Sequence, residues 1–261
     1  MYLYIVIIII VLGIFFILWN RFQHFTNTDY LMKINLDDFE YHPRLSKNNI
    51  IELRKGQKKM SNMLKEFDKI CMKYNIRYFL VGGSLIGALA YGGWIPWDAD
   101  VDIEVHEDDY MKLCEILQKE LPSTMWFQNK DTDKRYLDGH IIIGKIRDLN
   151  SCYTSIKYNW HGGLQIDVNK YKEIDGIIQF PDNIKVDYLT HNDIYPLKRV
   201  KFDDFEVNIM NNSEKYLKNN YGKKWYENLP INKRFPHEGN VDATNTCHYH
   251  YEMYPDLYPK K

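Results

Sequence analysis

The chain has 261 residues, is 45% apolar, and carries 34 basic against 35 acidic side chains for a formal net charge of -1. This length and apolar content suffice for one sizeable buried core with an appendage. The evenly mixed charge leaves no basic stripe for a nucleic-acid groove, so nucleic acid is excluded as an expected partner.

Residues 2–19, YLYIVIIIIVLGIFFILW, form an uncharged apolar run. At about 1.5 Å per residue it matches a hydrocarbon core of about 30 Å. The run is long for a signal-peptide core, has no basic segment before it and no small-residue cleavage site after it, so residues 1–20 are expected to be a retained transmembrane anchor. Arg21 is the one basic side chain nearby, too little to fix the orientation. Residues 21–46 are polar and aperiodic, with His42-Pro43, and read as a stalk. The remaining 47–261 are expected to form the catalytic domain.

Met60, Met63, Leu64, Phe67, Ile70, Cys71 and Tyr74 recur at helical steps and predict an amphipathic helix. A short apolar strand over 78–81 then meets Gly82-Gly83, and Ser84 opens a second helical stretch. The run DADVDIEV alternates acidic and apolar residues, the period of a strand with one wet face. A helix over 110–121 stops at Pro122, and further strands are predicted at 141–147, 164–168, 200–202 and 205–209, with a helix over 213–220 ended by Gly222. The expected fold class is mixed α/β (α+β), a small central sheet flanked by helices. Cys71, Cys114, Cys152 and Cys247 lack a CxxC pair and are expected to be buried free thiols. Cys247, His248 and His250 lie together, but no second cluster completes a tetrahedral metal site, so they read as a Tyr- and His-rich tail.

Strand alternation puts Asp98, Asp100, Asp102 and Glu104 on one face and Val101, Ile103 and Val105 in the core. Such a row suits either a solvated edge strand or a site for hard cations, magnesium or manganese. Gly82, Gly83 and Ser84 favour the second reading, because bare amides at a helix start can cradle phosphate. Residues 164–169 add Asp167 on the face shared with Gln165 and Asn169, and Lys145 and Arg147 share a face that could neutralise phosphate. Trp94, Trp97 and Trp160 are candidates to stack a base or sugar, with core packing as the alternative.

The order of FLVGGSLIGALAYGGWIPWDADVDIEV, HIIIGKIRDLNS, GGLQIDVNKY and PLKRVKFDDFEVNIMNNSEKYLKNNYGKKW resembles the LicD family, related to fukutin and fukutin-related protein. The resemblance spans about residues 60–226 and implies a nucleotidyltransferase fold. It also implies transfer of a phospho-alcohol, phosphocholine or ribitol phosphate, from a CDP-activated donor to a glycan hydroxyl, with CMP leaving. Asp100 and Asp102 match the family's paired metal-binding aspartates and Asp167 the later acid, with Asp98 a possible fourth ligand for Mg2+ or Mn2+. Ala99 within the acidic run and QIDVNKY in place of an IDIFP-like ending depart from common members. The alternatives are nucleotidyl transfer on the same scaffold, or a membrane-tethered protein that binds nucleotides or glycans without catalysis. Family analogy leans towards a lumen-facing type II protein of the Golgi or endoplasmic reticulum, where the sequon Asn211-Asn212-Ser213 could be used, and a cytosol-facing domain is the alternative that the sequence leaves open.

Overall fold

A computed structural model describes residues 39–136, 143–155, 159–180 and 188–258. The predicted membrane span lies outside the described residues. Among the described residues no helix is long and apolar enough to cross a membrane.

Helix α1, Lys47–Tyr74, starts where a capping box forms: Ser46 Oγ accepts from the Asn49 amide at 3.1 Å, and Asn49 Oδ1 accepts from the Ser46 amide at 3.2 Å. It ends on Asn75 in the left-handed conformation, φ 53°. The predicted stripe faces inward, and Met60, Leu64 and Phe67 are fully buried. The last part of the expected stalk is described and lies against the domain. Phe39 stacks on Trp97 with centroids 5.7 Å apart, and Arg234 donates to the Glu40 carbonyl at 2.9 Å.

Strand β1, Tyr78–Leu80, leads through Val81 into α2, Gly82–Ile86, which continues as a π-helical turn, Gly87–Tyr91. Then follow β2, Val101–His106, and α3, Glu107–Glu120, whose first turn carries Glu107, Asp108 and Asp109 against the positive end of its dipole. Strands β3, Met125–Gln128, β4, Gly144–Asp148, β5, Cys152–Tyr153, β6, Gln165–Ile174, and β7, Ile177–Gln179, come next. After the short helix α4, His191–Ile194, the hairpin β8, Lys198–Phe202, and β9, Phe205–Ile209, precedes α5, Ser213–Tyr221. The chain closes with β10, Val241–Asp242, and α6, His250–Met253.

The main sheet runs β1-β2-β6-β4-β3, with β7 added to the far part of β6. In this sheet β2 and β6 pair parallel, while β1 on β2, and β4 on β6 and β3, are antiparallel. The mixed α/β class is thus observed. The hairpin β8–β9 is tied to α1 by Arg199, whose guanidinium donates to both Asp68 oxygens at 2.6 and 2.8 Å.

Two expectations are corrected. Cys152 and Cys247 form a disulfide, while Cys71 and Cys114 stay free and buried. The bond joins β5 to the C-terminal segment beside the β5–β10 pairing, so Cys247 has no thiolate for a metal. His250 is also committed: its Nε2 accepts from the Gly162 amide at 2.8 Å, and its ring stacks on His161 at 3.8 Å. The second correction concerns the supposed wet face of the acidic strand, which is largely covered: Asp100 is 6% exposed and Glu104 1%, while Asp98 and Asp102 are half-buried.

Candidate metal centre

Strand β2 begins at Val101, so Asp98 and Asp100 sit on the loop entering it and Asp102 is its second residue. The parallel register sets Asp102 opposite Asp167, and the antiparallel register of β4 sets Lys145 opposite Asp167 on the other side. Asp100, Asp102 and Asp167 each bring a carboxylate oxygen within 4.8 Å of the other two. The entering loop is held from both sides. Gln57 of α1 donates to the carbonyls of Ile95 at 3.1 Å and Asp98 at 2.7 Å, and the buried Tyr153 hydroxyl donates to the Ala99 carbonyl at 2.6 Å.

The glycine turn lies directly against these acids. Gly82 has φ 58°, and a Cβ there would stand 3.0 Å from Asp102 Oδ2; a Cβ on Gly83 would stand 2.6 Å from Asp98 Oδ2. Only a residue without a side chain allows so close an approach with that backbone. Ser84 Oγ accepts from the Asp102 amide at 2.8 Å, so it fastens the helix start to the acidic strand.

Crowding and burial raise the acids together. Burial, then Asp167 and Asp98, pushes the Asp102 carboxyl up to about 8. Burial, then Asp102 and Glu238, holds Asp100 well above the usual carboxylate range, and burial followed by Glu238 lifts Asp98 to about 7. Burial, then Asp102, raises Glu104 as well. A divalent cation would remove the repulsive part of this cost.

Lys145 and Arg147 do share a face, but neither lies open to the cleft. Lys145 is 3% exposed and donates to Asp167 Oδ1 at 2.5 Å; burial drives its ammonium pKa down. Arg147 is fully buried, donating to Gln128 at 2.8 Å, to the Gly163 carbonyl at 3.0 Å and to the Gln165 side chain. Gln165 Nε2 in turn donates to Asp167 Oδ2 at 3.1 Å. Both cations therefore brace Asp167, Lys145 directly and Arg147 through Gln165.

Of the tryptophans, Trp94 donates to Ser61 Oγ at 2.8 Å and packs on Phe202, and Trp160 stacks on Tyr136. Trp97 lines a cleft beside the acids, about 470 Å3 in volume, with Gly83, Tyr91, Asp98, Lys224, Phe235 and His237 in its wall.

Sequence reasoning missed His237 and Glu238. They lie on an aperiodic loop between Pro236 and Gly239, about 135 residues from the acidic strand, and carried no signal beyond their residue types. Asp98, His237 and Glu238 place ligand atoms within 4.8 Å of one another, and His237 Nε2 is 3.9 Å from Asp100 Oδ2. The bond to Glu238, stronger than the opposing burial, raises the His237 imidazolium to about 9.

The sequence matches the family described as LicD/FKTN/FKRP, nucleotidyltransferase domain, over residues 75–212. The match holds every acid of the main cluster and the glycine turn but ends before His237 and Glu238. A lipopolysaccharide cholinephosphotransferase, LicD of Haemophilus influenzae, is 37% identical over 112 residues, covering 41% of this chain and 38% of its own. The human ribitol 5-phosphate transferase FKRP is 25% identical over 155 residues, covering 59% of this chain and 29% of its own. The chain thus spans well under two thirds of the length of these relatives. Among solved structures, ANT(2")-Ia in complex with adenylyl-2"-tobramycin superposes with a TM-score of 0.39 at 10% identity, covering 58% of this chain and 69% of that one.

Proposed function

The chain belongs to the LicD/FKTN/FKRP family of nucleotidyltransferase domains, and from that premise we propose that it transfers a phospho-alcohol from a CDP-activated donor to a hydroxyl of a glycan. The alcohol is of the choline or ribitol kind, by the named activities of its relatives. The acceptor oxygen bonds to the phosphorus that bears the alcohol, the bridging P–O bond to the cytidine phosphate breaks, and CMP leaves. The single observation carrying this reading is the meeting of Asp100, Asp102 and Asp167 within 4.8 Å beside a glycine turn.

The fit to a divalent cation rests on donor chemistry. The three carboxylates supply hard oxygen ligands, and their mutual repulsion and burial leave them short of positive charge. Asp100, Asp102 and Asp167 would hold Mg2+ or Mn2+; Asp98, the possible fourth ligand, groups instead with His237 and Glu238. When bound, such an ion supplies charge stabilisation for the phosphates of donor and transition state. The chain's own residues do the rest: Lys145 and Gln165 fix the Asp167 carboxylate, Ser84 fixes Asp102, and the bare Cα atoms of Gly82 and Gly83 let Asp102 and Asp98 pack against the turn.

The assay is incubation of the purified chain with CDP-choline, CDP-ribitol or CTP, with manganese and a glycan acceptor, followed by product identification. CMP from one CDP-alcohol is the expected result. Pyrophosphate from CTP would instead assign nucleotidyl transfer.

Residues 1–20 are proposed as the membrane anchor and 21–46 as its connection to the domain, with the domain in an oxidising lumen. The Cys152–Cys247 disulfide supports that side of the membrane. The sequon does not add support, because the Asn211 side-chain amide donates to the carbonyls of Asn192 at 2.9 Å and Tyr195 at 3.3 Å.

A further inference from the structure

We propose that Asp98, His237 and Glu238 form a second divalent-cation site, beside the cluster of Asp100, Asp102 and Asp167. Their ligand atoms lie within 4.8 Å of one another. Independent support comes from Glu238: its side chain is 5% exposed, yet Oε2 has no hydrogen-bond partner among the described residues. A buried carboxylate oxygen left unpaired is costly, and here it is surrounded by further acids. His237 Nε2 is bonded to the other oxygen, Oε1, and a metal ion bound there would displace the proton between them.

The loop that presents these ligands is fastened on its C-terminal side. The Thr154 amide donates to the Asn240 carbonyl at 2.7 Å, β10 pairs with β5, and the Cys152–Cys247 disulfide closes the same junction. Gly239 follows with φ 101°, a turn that suits glycine. Asp98 is positioned from the opposite side by Gln57 and by the bare Cα of Gly83. The ligands are thus set by the fold and need not be gathered at binding.

One imidazole and two carboxylates differ in character from the all-oxygen cluster next door. This set suits manganese or zinc better than magnesium. Three protein ligands leave a coordination position open, and both Asp98 and His237 line the 470 Å3 cleft. A phosphate oxygen of a ligand in that cleft is the group that would complete the shell. Asp98 lies inside the 75–212 family match and His237 and Glu238 outside it, so two of the three ligands come from this chain's C-terminal segment.

The test is electron spin-echo spectroscopy of Mn2+ bound to the metal-stripped chain, with calorimetric titration of the same samples. The wild type should bind two equivalents and show 14N coupling from an imidazole. His237→Ala should lose the nitrogen coupling and one equivalent; its side chain is 75% exposed, so the fold is not at risk. Glu238→Gln should weaken the same equivalent by more than the roughly 10–100-fold that loss of an outer-shell partner costs. Asp102→Asn should keep the nitrogen coupling and lose the other equivalent. Absence of nitrogen coupling in the wild type, or its survival in His237→Ala, overturns the second site. Undiminished manganese binding in Asp102→Asn counts against the neighbouring three-acid reading alone.

Discussion

Asp100 is held at 6% exposure among Asp98, Asp102, Asp167 and Glu238, each of which opposes its ionisation. Chemistry needs that charge and folding does not. Asp100→Asn should therefore lower phospho-alcohol transfer by at least about 10²-fold, the scale of losing one preorganised electrostatic group. In chelator the same variant should gain stability, on the order of 1 kcal/mol or about 2–4 °C in Tm. Product assays and thermal unfolding on one sample read both effects; a variant that is inactive because it is unfolded contradicts the assignment. Gly82→Ala tests the turn: with φ 58° and a Cβ 3.0 Å from Asp102 Oδ2, it should cost roughly 1 kcal/mol and weaken manganese binding. At this scale the acids were legible because a strand's period of two sorts faces without further information. Their depth was not. Alternation says that Lys145 and Arg147 share a face, but nothing in it says that both are buried and spent on bracing Asp167.

The strands and the glycine turn bring the acids together, and the register of β2 on β6 carries most of that work by setting Asp102 beside Asp167. This packing makes the metal-free protein sensitive to pH. Asp98 and Asp102 are raised in the fold to about 7 and about 8, against about 3.9 for an unfolded aspartate. Between pH 6.5 and 8.5 the unfolded chain has already lost these protons while the native state is still losing them. The stability they contribute is present at low pH and disappears as pH rises through the folded values. Tm in EDTA should fall across that window, and saturating manganese should flatten the decline. The buried pair His161 and His250 acts in the opposite sense only up to about pH 7.5, where unfolded imidazoles have lost their protons, since burial lowers both and His250 titrates at about 4; His237, raised to about 9 by its bond to Glu238, adds to the decline. A Tm in EDTA that rises with pH would contradict the described crowding. Helix α1, β1 and the β8–β9 hairpin were readable from periodicity and turn residues. Strands β3, β5, β7 and β10 were not, being short pieces whose pairing depends on distant partners.

At the scale of the whole molecule the C-terminal segment is the part least visible in sequence. Its residues His237 and Glu238 close on an acidic strand far away in the chain, and Cys247 bonds to Cys152 across 95 residues. Neither partnership leaves a local pattern, which is why the cysteines read as free thiols. Cys247→Ser should destabilise the domain by about 2–4 kcal/mol, measured by denaturant unfolding. It should also weaken manganese binding at His237 and Glu238, because the junction that holds their loop is loosened. The disulfide also bears on the proposed lumenal setting, since it requires an oxidising compartment to persist.

The central claim is that the three acids engage a CDP-activated donor through a divalent ion. Its most direct test is calorimetric titration of the purified chain with CDP-choline and CDP-ribitol, in manganese and in EDTA, for the wild type and Asp100→Asn. Binding of one of them in manganese, abolished by EDTA and by the substitution, is the predicted result. Equal binding in EDTA, or in Asp100→Asn, would contradict it.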